Sequence, residues 1–158
     1  MKTSVVIFFV FLFLAGGGWI VARDPEFISE GNTVTTQLAQ KTVSFRTGRS
    51  IVVEVADTES ARIKGLSGRQ SLGDNRGLLF VFETDGYHSM WMKDMNFAID
   101  ILWINAEGKI VTIAPSVGPE SYPDSFSPTS KARYVLEIPA SYTEIYNIKE
   151  GDVVDFKL

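Results

Sequence analysis

Residues 97–114 read Phe-Ala-Ile-Asp-Ile-Leu-Trp-Ile-Asn-Ala-Glu-Gly-Lys-Ile-Val-Thr-Ile-Ala. Two strand-forming apolar runs, Phe97 to Ile104 and Lys109 to Ala114, flank the short polar link Asn105-Ala106-Glu107-Gly108. A polar link with a late glycine between such runs predicts a β-hairpin. In the first run Phe97, Ile99, Ile101 and Trp103 project to one side, and Ala98, Asp100, Leu102 and Ile104 to the other. Asp100 is therefore a carboxylate on an apolar face. Leaving it unpaired there would cost several kcal/mol, so it must find Lys93, Arg133 or backbone donors, or lie at a solvated mouth.

Upstream, the chain holds its sole histidine, His88, with Met90, Trp91, Met92, Lys93, Asp94 and Met95 in one short stretch. Gly77 to Phe82 reads as a strand and Glu83 to Gly86 as a polar turn. Lys41 to Arg46 and Ser50 to Ala56 read as two more strands, with Ile51, Val53 and Val55 sharing a face. Asp57 or Thr58 is placed to cap a short helix that runs to about Lys64 and ends at Gly65. Downstream, four prolines and many serines make Pro115 to Ser130 a long irregular loop. Lys131 to Ile138 alternates as a half-buried strand, with Arg133 and Glu137 on the polar side. A short helix over Ala140 to Ile148 and a last strand, Val153 to Leu158, complete the pattern. The expected fold is mainly β, a single sandwich or distorted barrel of about seven short strands with two short helices, behind an N-terminal apolar helix.

That N-terminal segment runs uncharged from Ser4 to Ala22, a helical length of roughly 28 Å, close to the hydrocarbon thickness. Lys2 precedes it and Asp24 and Glu26 follow, so the positive-inside bias places the remainder outside the cytoplasm. Residues 1–22 are read as a transmembrane anchor, 23–40 as a tether and 41–158 as the domain. A cleaved signal peptide is the alternative, since Ala15-Gly16-Gly17 follows an apolar run of suitable length; the domain would then be secreted or periplasmic.

The chain has no cysteine, which excludes disulfides, thiol catalysis and thiolate metal sites. Beyond the apolar segment it carries 14 Lys and Arg against 19 Asp and Glu. With a net charge of about −5 and no basic run, nucleic acid is not an expected partner. Phosphate-loop, dinucleotide and nucleophile-elbow signatures are also missing, and no cofactor is expected.

Five blocks in order resemble the DUF192 family, also called UPF0127, whose members lack an assigned function. They are Lys64-Gly65-Leu66 with Gly68-Arg69; Gly77 to Phe82; Trp91-Met92-Lys93 with Ile99-Asp100-Ile101; Ser127-Pro128 with Ala132 to Glu137; and Gly151-Asp152. Asp94-Met95 stands where the family usually has Asn-Thr, and Ala98-Ile99 where it has Pro-Leu. The resemblance implies a largely β fold and frequent export.

Trp91 beside Lys93, with Asp94, Asp100, Arg133 and Glu137, is expected to line a pocket for a small polar or anionic ligand or an envelope component, rimmed by the Pro115 to Ser130 loop. Three other readings remain open at this point. Asp100, Asp94, Glu137 or His88 could serve as an acid or base. His88, Met90, Met92 and Met95 form a set of ligands suited to Cu(I). In the third, a structural partner domain, the same charges only satisfy one another.

Overall fold

The structure is a computed structural model that describes residues 37–157. The apolar segment and nearly all of the tether lie outside the described residues, and with them the expectations of an anchor or signal.

β1 (Gln40–Phe45) and β2 (Ser50–Ala56) form an antiparallel hairpin. Gly48 closes the turn with φ +82°, donating its N–H to the Phe45 carbonyl at 2.9 Å. From β2 the chain enters α1 (Glu59–Lys64), where Thr58 Oγ1 accepts the Ala61 N–H at 3.2 Å and so caps a free helix donor. Gly65 ends the helix at φ +48°, and a Cβ there would meet the Phe80 ring at 3.3 Å. After the crossover, β3 (Arg76–Gly86) returns parallel to β2. A parallel partner requires such an intervening segment, and α1 with the loop behind it supplies one.

The hairpin read from residues 97–114 is present as β5 (Ile99–Ile104) and β6 (Ile110–Val117). Between β3 and β5 a two-residue strand, β4 (Met90–Trp91), pairs with β7 (Ser125–Phe126). β8 (Ala132–Pro139) inserts between β5 and β3; the short α2 (Tyr142–Ile145) and β9 (Val154–Asp155) follow. Seven strands form one sheet in the order β6-β5-β8-β3-β2-β1-β9. The sheet curls into a half-barrel, and at one end its edges meet: Ile110 donates to the Asp152 carbonyl at 2.9 Å and Val154 to the Gly108 carbonyl at 2.8 Å.

Several boundaries differ from the sequence reading: the last strand, expected over Val153 to Leu158, is Val154–Asp155, and two differences lie in the middle of the chain. Glu83 to Gly86, expected as a turn, continues β3 through an irregularity in its pairing with β8. The Pro115 to Ser130 stretch is not wholly irregular, because it contains the end of β6, one turn of 3-10 helix and β7. Both are short-range exceptions imposed by pairing partners remote in sequence, which local composition does not report.

The curl gives the sheet two apolar faces. Inside, Val43, Ile51, Val53, Leu79, Leu102 and Leu136 pack with α2 residue Tyr142. Outside, Leu78, Phe80, Ile101, Trp103 and Val135 pack beneath Leu66 and Met92. β5 is buried along its whole length because both faces are covered. Trp103 is fully buried, and its indole Nε1 donates to the His88 carbonyl at 2.7 Å, which satisfies its one polar group.

Candidate functional site

Asp100 points to the inner face with Leu102 and Ile104, as the alternation required, and it has no exposed surface. Its partners are hydrogen-bond donors rather than cations. Oδ1 accepts the Ser116 N–H at 2.8 Å and the Ser141 N–H at 3.0 Å; Oδ2 accepts the Thr143 N–H at 2.8 Å and the Thr143 hydroxyl at 2.7 Å. Ser116 and Ser141 both have left-handed backbones, φ +49° and +63°, which are costly for non-glycine residues. The carboxylate ties these two turns and the start of α2 to the central strand.

Of the partners left open for Asp100, backbone donors are the ones found, and pairing with Arg133 or Lys93 is not. Asp100 lies opposite Ile138 in the β5–β8 ladder, so it shares a face with even-numbered β8 residues while Arg133 projects to the other side. Arg133 instead bonds Asp85 through Nε. Lys93 is at the surface with its ammonium 5.6 Å from the centre of the Trp91 ring. Asp100 and Arg133 do not join the residues grouped below.

The outer face carries a cleft of about 380 Å³, walled by α1, the Gly65–Ser67 turn, Phe82, Met90, Trp91 and Met95, with Glu137 among its lining residues. Glu137 is 4% exposed, and its Oε2 has no hydrogen-bond partner among the described residues. Register places it between Leu78 of β3 and Ile101 of β5. Burial among these side chains raises its pKa from 4.5 to about 8, against the opposing pull of Arg69. A carboxyl in such surroundings keeps its proton near neutral pH.

Arg69 does not relieve Glu137 because it is committed elsewhere. Its guanidinium binds Glu54 bidentately at 2.7 and 2.8 Å. That fork holds the Glu54 carboxyl below its usual range and raises Arg69. Glu54 lies opposite Leu78, in the same cross-strand row as Glu137 but two strands away, roughly 10 Å.

At the mouth, Trp91 is 54% and Tyr122 45% exposed, their ring centres 6.0 Å apart and edge-on. One wall is a stack in which Arg62 lies over Phe82 at 5.5 Å and Phe82 lies flat on His88 at 3.6 Å. Arg62 also donates to the Asp57 and Val81 carbonyls at 2.7 and 2.9 Å. Two sequence blocks are stitched together above the cleft: Ser67 Oγ donates to the Lys93 carbonyl, Gly68 N–H to the Asp94 carbonyl and Asn96 Nδ2 to the Arg69 carbonyl, all at 2.8–2.9 Å. Asp94 sits in this stitch with φ +56°, a backbone state that Asp and Asn both tolerate.

Of the residues singled out by sequence, Trp91 and Glu137 meet in the cleft with Met90 and Met95, Lys93 lies over Trp91, and Asp94 shapes the turn above. The soft-ligand set is dispersed in role. Met92 is buried in the outer core, and the His88 ring is stacked on Phe82 with Nε2 3.1 Å from the Thr84 carbonyl. Among the described residues, no group of three or more His, Asp and Glu side chains is placed to hold a metal ion. Sequence reasoning missed Arg69, Glu54, Arg62 and Phe82. Arg69 stood in a quoted block, Gly68-Arg69, but its partner Glu54 belongs to a strand that becomes its neighbour only on folding.

A curled seven-stranded half-barrel with a short crossover helix over its outer face defines a small mainly β class of domain. The chain belongs to the DUF192 family, described as an uncharacterised group, which it matches over residues 40–156. It is 28% identical over 106 residues to a UPF0127 protein from Thermococcus gammatolerans and 27% identical over 106 to one from Thermococcus kodakarensis. Each match takes in 66% of this chain, and 65% and 64% of the respective relatives. Two crystal structures share the fold. One, from Sinorhizobium meliloti, is provisionally described as a transcription regulator; it has a TM-score of 0.71 and 29% identity, covering 76% of this chain and 95% of that one. The other, a protein of unknown function from Novosphingobium aromaticivorans, has a TM-score of 0.68 and 26% identity, covering 78% and 89%.

Proposed function

We propose that this chain is a membrane-tethered domain displayed outside the cytoplasm that binds a small polar ligand in the Glu137 cleft. The carrying observation is the buried Oε2 of Glu137, which has no partner among the described residues although Glu137 lines an open cleft. Buried polar groups are nearly always satisfied, and a ligand group entering the cleft would complete this one. With Arg133 held by Asp85 away from the cleft, a polar ligand is favoured over an anionic one. The regulator description belongs to the Sinorhizobium protein; the acidic balance of this chain supports no nucleic-acid partner here.

The test is recovery of small molecules that co-purify with the full-length chain, identified by mass spectrometry and compared with Trp91→Ala and Glu137→Leu. Enrichment on the wild type alone supports the cleft; equal recovery from all three chains sinks it. Because Trp91 is half exposed, Trp91→Ala is expected to cost less than about 1 kcal/mol, and thermal melts of the variant check that the fold survives. A fall of many degrees would assign the indole to the core instead.

Acid–base catalysis is a second reading, favoured by the Glu137 pKa of about 8, which leaves a proton to give near neutral pH. A recovered compound that wild type alters and Glu137→Gln does not would establish it. The topology rests on Lys2 before the apolar segment and the acidic residues after it. Protease added to intact cells is expected to remove the domain, whereas digestion only after lysis would refute export.

A further inference from the structure

We infer that the occupant of the cleft is a neutral saccharide ring, stacked on Trp91 with a hydroxyl hydrogen-bonded to Glu137; this rests on the binding role proposed above. Charge narrows the choice first. Of the guanidiniums near Glu137, Arg69 is held bidentately by Glu54, and Arg62 lies over Phe82 and donates through Nη1 to the Asp57 and Val81 carbonyls. An anion therefore finds Arg69 already paired, and on the rim the carboxylate of Glu59 stands against Lys64. A cation meets Arg62 and Lys64 in the cleft lining.

Shape and polarity narrow it further. Phe82, Met90, Met95 and Trp91 present apolar surface, while Glu137 requires at least one hydrogen-bonding group at the same site. A pyranose meets both demands in one rigid body, because its C–H face lies flat on an indole and its hydroxyls each donate and accept. The cleft of about 380 Å³ is at the small end of ligand sites, suited to a mono- or disaccharide unit. Tyr122, exposed and edge-on to Trp91, extends the aromatic surface beyond the cleft, where a longer glycan would continue.

The experiment uses the full-length chain in a zwitterionic detergent without a sugar headgroup. Glucose, cellobiose and the disaccharide of N-acetylglucosamine are titrated at millimolar concentrations, with citrate and choline as charged probes. Binding is followed by saturation-transfer NMR and tryptophan fluorescence. At least one saccharide is expected to saturate, with affinity lowered about tenfold in Glu137→Leu, the size of one lost hydrogen bond, and by more in Trp91→Ala. Glu137→Leu removes an unpartnered buried carboxyl, so it is expected to fold; melts of both variants confirm this. Saccharide binding that neither substitution weakens would place the sugar elsewhere and overturn the inference. Binding of choline or citrate that both substitutions weaken, with no saccharide bound, would overturn the saccharide class while leaving the cleft as a binding site. If no saccharide saturates, the inference fails, and ligand recovery judges the cleft separately.

Discussion

Asp100→Ala is expected to destabilise the domain by about 3–5 kcal/mol, a large part of the 5–15 kcal/mol typical of a whole domain. The substitution removes the acceptor for three backbone N–H groups and the Thr143 hydroxyl. Hydrogen bonds to a charged group contribute about 1.5–3 kcal/mol each, and donors left buried add their desolvation. Two left-handed serines also lose the group that holds them. Denaturant unfolding measures the loss. Double-mutant cycles add a sharper check: coupling of Asp100 to Thr143 should be about 1 kcal/mol or more, and to Arg133 or Lys93 near zero. Strong coupling to Arg133 would contradict the observed face assignment.

Glu137→Gln is expected to stabilise the protein at neutral and alkaline pH. Below about pH 4.5 folded and unfolded chains both hold the Glu137 proton, and ionisation has no effect on stability. Between pH 4.5 and about 8 the unfolded chain releases the proton while the folded chain retains it, so stability falls as pH rises. Above about pH 8 the folded form ionises too and the loss levels off. Over that interval the loss is on the order of 5 kcal/mol, taking about 1.4 kcal/mol for each pH step. Unfolding free energies of wild type and Glu137→Gln, measured from pH 4 to 9, isolate this effect. Glu54, whose lowered pKa acts in the opposite direction and is lost as pH falls, is common to both chains and cancels. A difference that stays flat across the range would mean that Glu137 ionises as a solvated carboxyl.

Both residues show where local reading stopped. The position of Asp100 on an apolar face followed from alternation in residues 97–104, because side chains of a strand project alternately whatever the fold. Which groups satisfy it depended on where Ser116 and Ser141 arrive, and neither local composition nor charge marks a backbone N–H as a partner. Arg133 and Glu137 were correctly placed on one face of β8, yet they separate in role. Asp85 takes Arg133 because β3 runs on past its expected end.

Sequence by itself determined the mainly β character, the β5–β6 hairpin, the Thr58 cap and Gly65 stop of α1, the alternating faces of β5 and β8, and the family, because these depend on near neighbours and on motifs in linear order. Tertiary structure alone decided the strand order, the parallel β2–β3 pair and the joining of the sheet edges through Ile110 and Val154. It also decided that Arg69 binds Glu54 rather than Glu137. Such choices depend on pairings between segments far apart in the chain. The physical reason lies in the competition for one guanidinium: a bidentate pair is set by geometry within a few tenths of an ångström, and only the folded sheet brings Glu54 to Arg69 and leaves the Glu137 Oε2 without a partner among the described residues.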